Sequence, residues 1–254
     1  MKTNDELHYH QLRWMSASAA HYKHWLGNEH KQTKPQLLGE ALDAMLFNSK
    51  EVLVFEGNSR RGKAWDVFAD SNPESVKLLS SEYDTVTGML ASVQGHSEAM
   101  QLLSGIRQKF ILWEMAGRKC GGTPDVFTET KVVELKSARS AHPDKFMWDA
   151  RKIGYHAQLA WYHNALKILG LVAPDALCSI VAVESAPPYP VTIFDLTTEC
   201  YTEGEKLWRS WFEQLLVCEQ SNSFPPYALA RVRFEARDTE SITLKIDGED
   251  VEIE

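Results

Sequence analysis

The stretch from Gly121 to Ser137, GGTPDVFTETKVVELKS, restricts what this chain can fold into more than any other. Val126-Phe127-Thr128 and Lys131-Val132-Val133-Glu134-Leu135-Lys136 are rich in strand-forming residues, with room between them for only a tight turn. A turn centred on Glu129-Thr130 sets Thr128 opposite Lys131, Phe127 opposite Val132, Val126 opposite Val133 and Asp125 opposite Glu134. Opposed residues share a face, with Cβ atoms roughly 5 Å apart. Lys136 lies two residues beyond Glu134 and so points the same way. The register predicts two carboxylates and one ammonium on one face of a strand pair, with Val132, Val133 and Leu135 buried on at least one side.

Carboxylates that close repel, and one would hold its proton at neutral pH. A divalent cation removes the conflict. Mg²⁺ prefers oxygen and is commonly held by one or two carboxylates, waters and a substrate phosphate; Mn²⁺ is expected to substitute. Asp125, Glu134 and the backbone carbonyl of Leu135 are the candidate ligands. Lys136 would adjoin the metal and could orient a water or steady developing negative charge, which is the equipment for metal-assisted phosphodiester hydrolysis. A plainer reading is a Pro-Asp turn followed by a solvated acid-x-base face. The apolar neighbours favour the site, because charges set beside a core need a reason.

The chain has 254 residues, enough for one large domain with a real core, or one domain with additions. No apolar run is long enough to span a bilayer. The N-terminus is polar and lacks an apolar signal segment, which points to the cytoplasm. Cys120, Cys178, Cys200 and Cys218 are scattered and form no metal-binding pair, so reduced, mostly buried thiols are expected. The formal net charge is −8. Any surface that neutralises phosphates must then be a local basic lining on an acidic body, with much of the acid in the tail from Glu235 to Glu254.

Residues from Leu7 to Leu26 read as an extended lead and a helix that Ser16 or Ser18 could cap. The histidines nearby, His8, His10, His21, His24 and His30, match no ligand spacing. Pro35 to Phe47 reads as a second helix with Leu38, Leu42, Met45 and Leu46 on its apolar face. After a short strand, Val52–Phe55, Arg60, Arg61 and Lys63 form the densest basic cluster, with Trp65 beside it, a combination suited to nucleic-acid backbone contacts. Ser75 to Leu103 reads as helical, interrupted at Gly95-His96-Ser97. Gln108 to Glu114 reads as a buried strand, paired through the turn Ala116-Gly117-Arg118 with the strand that carries Asp125. A long helix is expected from about Lys145 to Leu169, with Tyr155, Gln158, Leu159 and Tyr162 on one face. Ala176–Glu184 and Val191–Leu196 read as strands, and Thr198–Glu219 as an amphipathic helix. Ile242–Ile246 and Val251–Ile253 look like a small hairpin about Asp247-Gly248.

The ordered set Pro124-Asp125, Glu134-Leu135-Lys136 and Tyr155-His156-Ala157-Gln158 resembles the PD-(D/E)XK nuclease superfamily, and within it the RecE-type (exodeoxyribonuclease VIII) and lambda-exonuclease-like branch. The resemblance runs from about Tyr9 to Tyr162 and includes the Arg-x-Gly-Lys-x-Trp segment ending at Trp65. It implies that Gln158 sits beside the metal and helps to orient water or phosphate, with Tyr155 in the same element as a DNA contact. It implies that the serine-containing helix start, Ser16 or Ser18, lies near the DNA end, and that Arg60, Arg61 and Lys63 contact DNA. Asp43 stands where such nucleases usually place a metal-proximal histidine, and Asp is an oxygen donor suited to Mg²⁺. Gln108 stands where many place a further acid. Either Gln108 binds through a water, or Glu114 or Asp43 compensates, or a second metal is held weakly.

The expected fold is α/β: a central mixed sheet flanked by helices over residues 1–227, with a small C-terminal β appendage over 228–254. The resemblance implies a Mg²⁺-dependent exonuclease that degrades double-stranded DNA ends 5′ to 3′ for recombination. It also implies a ring-shaped homo-oligomer, a trimer or tetramer, working beside a single-strand annealing protein and away from membranes. Two alternatives stand: a related repair nuclease of other polarity or single-strand preference, and a catalytically weak DNA-binding scaffold.

Overall fold

The computed structural model describes residues 6–28, 31–227, 242–246 and 249–253. Its N-terminal part comprises α1 (Tyr9–Leu12), a 3-10 turn (Arg13–Ser16), α2 (Ala19–Leu26) and α3 (Lys34–Phe47). Then come β1 (Val52–Phe55), α4 (Lys63–Ser71), β2 (Val76–Leu79), α5 (Ser80–Gly95) and α6 (Ser97–Leu102). The strands β3 (Ile106–Arg107), β4 (Ile111–Met115), β5 (Arg118–Gly122), β6 (Val126–Thr128) and β7 (Lys131–Ala138) follow. The chain continues through α7 (Pro143–Ile153), α8 (Tyr155–Ile168), β8 (Leu177–Glu184), β9 (Val191–Asp195) and α9 (Thr198–Ser221). The last strands are β10 (Ile242–Ile246) and β11 (Glu249–Ile253).

The central sheet has the order β3-β6-β7-β8-β9. β7 and β8 run parallel, with Glu134 level with Ile180 and Lys136 with Ala182, and the other pairs are antiparallel. Alternation on the central strands feeds two cores. Val132, Cys178, Ile180 and Ala182 pack with α8 and α9, around edge-on indoles of Trp113, Trp161 and Trp208. Val133, Leu135, Val181 and Val183 pack with α3 and α5. This is the mixed α/β sheet flanked by helices that the sequence predicts.

The hairpin register is the expected one: Val126 pairs Val133, Phe127 pairs Val132 and Thr128 pairs Lys131. The ladder stops there, one pair short of Asp125 and Glu134. Other expectations need correction. Ile111–Met115 does pair through the Ala116-Gly117 turn, but with β5 in a separate two-stranded sheet rather than with the strand carrying Asp125. Val76–Leu79 is not helical: it lies parallel to β1, and the crossover between them contains α4, which begins at Lys63 in the basic segment and for which the sequence predicts no element. The long helix of 145–169 is two helices broken at Gly154, whose φ of +85° suits glycine. Tyr9 Oη donates to the Gly154 carbonyl at 2.6 Å and fixes the break.

The N-terminal lead also contains α1 and the 3-10 turn, and Ser18, not Ser16, caps the helix that follows, accepting from the His21 amide. The four cysteines are free, with Cys120, Cys178 and Cys218 buried. β10 and β11 pair with each other, as the C-terminal hairpin requires, while Asp247 and Gly248 fall outside the described residues, as does His30. Among the described residues no helix is long and apolar enough to cross a membrane.

Candidate active site

Where the β6–β7 ladder ends, side chains take over the bonding. Asp125 precedes β6, and its carboxylate Oδ2 accepts from the Leu135 amide at 2.8 Å. Glu134 Oε1 accepts in return from the Asp125 amide at 3.3 Å. Each acid thus satisfies the other segment's backbone N–H. Lys136 Nζ donates to Glu134 Oε2 at 2.7 Å and lies 5.3 Å from the centre of the Tyr155 ring. The predicted convergence of Asp125, Glu134 and Lys136 is therefore present, in a different bonding pattern from two carboxylates facing across a ladder.

Gln108 closes the fourth side. Its backbone has φ +46°, its N–H donates to the Asp125 carbonyl, and its Nε2 donates to Asp125 Oδ1 at 2.9 Å. It holds Asp125 directly rather than standing off from it. Asp43 comes from the helix layer. On α3, Gly39 lies against β7, where a Cβ would come within 3.1 Å of the Ser137 hydroxyl, and that close seat lets Asp43, one turn further on, bring its charge to the cluster.

The cluster is buried and overcharged. Asp125 is 7% exposed and Glu134 2%. Burial, then the charge of Asp125, pushes the Asp43 carboxyl well above its usual range, against the pull of Lys136. Burial raises Asp125 too, although Lys136 and the Leu135 and Gln108 hydrogen bonds oppose it. Burial and then Asp125 push Glu134 up to about 7, opposed by Lys136. Burial would discharge Lys136, but Glu134 and Asp125 outweigh it and hold the ammonium above its ordinary range.

When all are ionised, three carboxylates against one ammonium leave two negative charges, and all the nearby acceptors are hard oxygens. That donor set fits a hard divalent cation. Among the described residues no three His, Cys, Asp or Glu side chains surround a common point closely enough to hold a metal. Gln108 and Lys136 sit on two of the oxygens involved, and an ionised carboxylate oxygen keeps a lone pair beyond one such bond.

Gln158 reaches the cluster through an intermediary. Its side chain acts on Tyr162, whose phenol lies in the fields of Glu134, Lys136 and Asp125. Burial first, then Glu134, raises the Tyr162 pKa. Tyr162 reads in the sequence as packing, and Trp161, fully buried, does pack. The available signal for Tyr162 was its place four residues after Gln158 on the same face. Tyr9 is a second unforeseen neighbour, its phenol lying in the field of both Tyr162 and Lys136.

The remaining candidates lie apart. Arg60 makes a bidentate pair with the buried Glu82, donates to the Lys77 carbonyl at 3.1 Å and lies over the Trp65 ring. Arg61 and Lys63 are exposed. Ser16 and Ser18 line a groove of about 750 Å³ with Trp211, Val217 and Tyr227.

A family model described as "PDDEXK-like domain of unknown function (DUF3799)" matches residues 9–230. No curated protein matches the chain. Among solved structures, a crystal structure described as a "putative exonuclease" from Eubacterium rectale superposes with a TM-score of 0.65. The sequences are 13% identical over 91% of this chain and 90% of that one, so the likeness is one of fold.

Proposed function

Since the chain belongs to the PDDEXK-like family DUF3799, we propose that it is a Mg²⁺-dependent nuclease that hydrolyses the DNA backbone at the cluster of Asp43, Asp125, Glu134 and Lys136. The observation that carries this reading is the surplus of carboxylate over ammonium in one buried place. Asp125 and Glu134, with the Leu135 carbonyl, would hold the ion, and Asp43 would add its charge from beside them. A bound divalent cation supplies Lewis acidity toward a phosphoryl oxygen and makes water acidic enough to act as a nucleophile.

The chain's own groups do the rest. The Leu135 amide and the Gln108 side chain fix the two oxygens of Asp125 before any substrate arrives, so little reorganisation is left for the reacting state. Lys136 keeps its charge because two acids face it. It has two further N–H bonds beyond the one to Glu134, available to a water or a phosphate oxygen. Tyr155 covers one flank of that ammonium. Gln158 acts one step back, beside the Tyr162 phenol.

The substrate is proposed to be the end of linear duplex DNA, degraded from the 5′ side to leave 3′ tails for recombination. That refinement, with a ring of subunits and an annealing partner, rests on the RecE-type resemblance. It draws support also from the name given to the Eubacterium rectale protein.

Digestion of end-labelled linear duplex tests both levels. The wild type is expected to release label in Mg²⁺ and not in EDTA, and Lys136→Ala to be slower by about 10²–10⁴-fold, the range for a group acting in the reacting state. Early release of the 5′ label alone supports the stated direction, and early release of the 3′ label rejects it. A Lys136→Ala protein that cuts like wild type removes the cluster from the chemistry.

A further inference from the structure

Building on the nuclease reading, we propose that the cleft at the N-terminal end of α3 is a second phosphate subsite, which grips the nucleic-acid backbone beyond the point of cleavage. The cleft has a volume of about 350 Å³, and its walls include Thr33, Lys34, Arg60, Trp65, Lys77 and Glu40.

Its charge is the opposite of the rest of the molecule. Lys34, Arg60 and Lys77 line it, and Lys50 adds a fourth cation through its ion pair with Glu40. The acids that answer them are Glu40 and Glu82, so two positive charges are left over on a protein whose formal net charge is −8. Glu82 neutralises Arg60 and fixes the guanidinium against Trp65, which makes that wall rigid. Lys77 Nζ donates to the neutral Ser75 carbonyl at 3.0 Å and keeps its charge available to the cleft. The first residues of α3 open onto the same space, adding the positive end of a helix dipole.

α3 also ties the cleft to the acidic cluster. Lys34 and Asp43 are nine residues apart on it, about 13 Å along the axis. Glu40 lines the cleft, and its charge acts on Asp43. Along the axis that separation is only a few nucleotides, at about 3.4 Å of rise per step in duplex form.

Binding without catalysis tests this separately from the nuclease reading. The full chain is titrated with a fluorescent duplex in EDTA, and affinity is followed by anisotropy as salt is raised. For Lys34→Gln with Lys77→Gln, the slope of log affinity against log salt is expected to shrink by about two, one for each phosphate that is no longer neutralised. Lys34→Arg with Lys77→Arg should restore it, which a merely structural role would not require. A slope unchanged in the Gln pair overturns the subsite, while the digestion assay with Lys136→Ala still decides the nuclease reading. If inorganic phosphate binds the cleft but the duplex slope does not move, the site is for a free anion and the proposal fails. A wild type that binds no nucleic acid overturns it as well.

Discussion

At the scale of single residues, Gln108 offers the sharpest test. Its amide nitrogen holds an oxygen of Asp125 where a carboxylate would repel it. Gln108→Glu should therefore add a fourth acid to a cluster already short of positive charge. The expected result is tighter Mg²⁺ or Mn²⁺ binding by calorimetry, and a lower melting temperature in EDTA that metal restores. Equal melting temperatures in EDTA would mean that Gln108 is not electrostatically part of the site. The same surplus of charge sets a pH dependence. Glu134 is raised from its ordinary carboxylate range to about 7. The native state therefore binds a proton that the unfolded chain has already released, and stability falls as pH rises from about 4.5 through 7. The loss expected from this group is on the order of 3 kcal/mol. Thermal unfolding in EDTA across that window should show the decline, and saturating Mg²⁺ should flatten it by favouring the ionised form.

At the scale of elements, the β6–β7 hairpin was legible and the helices around it less so. A strand pair has period two, and a tight turn leaves one register that buries the valines, so Asp125, Glu134 and Lys136 could be placed together from sequence. Their actual hydrogen bonds could not, because they depend on where the ladder stops. Val76–Leu79 has apolar residues at spacings that also suit the helix beginning at Ser80, and only its pairing with distant β1 makes it a strand. The break at Gly154 is decided by Tyr9, which contributes a hydrogen bond from 145 positions away. Gly154→Ala places a Cβ at φ +85°, within 2.9 Å of the Tyr9 hydroxyl. It should cost at least ~1–2 kcal/mol in urea unfolding. Because α8 carries Tyr155, Gln158 and Tyr162 from that hinge point, it should also slow cleavage. Normal stability in this variant would show that the break is not fixed by glycine. Tyr162 was missed because an aromatic residue in an apolar stripe is read as packing, and Tyr9 because it lies in a polar lead with no periodic signal; only the fold shows which phenol faces a charge.

At the scale of the molecule, the two cores are inseparable. Val132 and Val133 are chain neighbours that enter opposite cores, and Val181 stands between Ile180 and Ala182, which face the other way. Neither core can melt without exposing half of β7 and β8. Indole fluorescence, to which Trp113, Trp161 and Trp208 contribute from the first core, should therefore give the same urea midpoint as far-ultraviolet circular dichroism, which reports both. Two separated midpoints would show independent units.

The docking of α3 on β7 through Gly39 has a consequence for biosynthesis. Asp43 leaves the ribosome early, the hairpin acids much later, and Gln158 later still. No product of translation interrupted before Gln158 gathers all of them, so the acidic cluster with its helical neighbours is complete only once α8 has been made. A nascent copy still short of α8 therefore lacks the assembled centre.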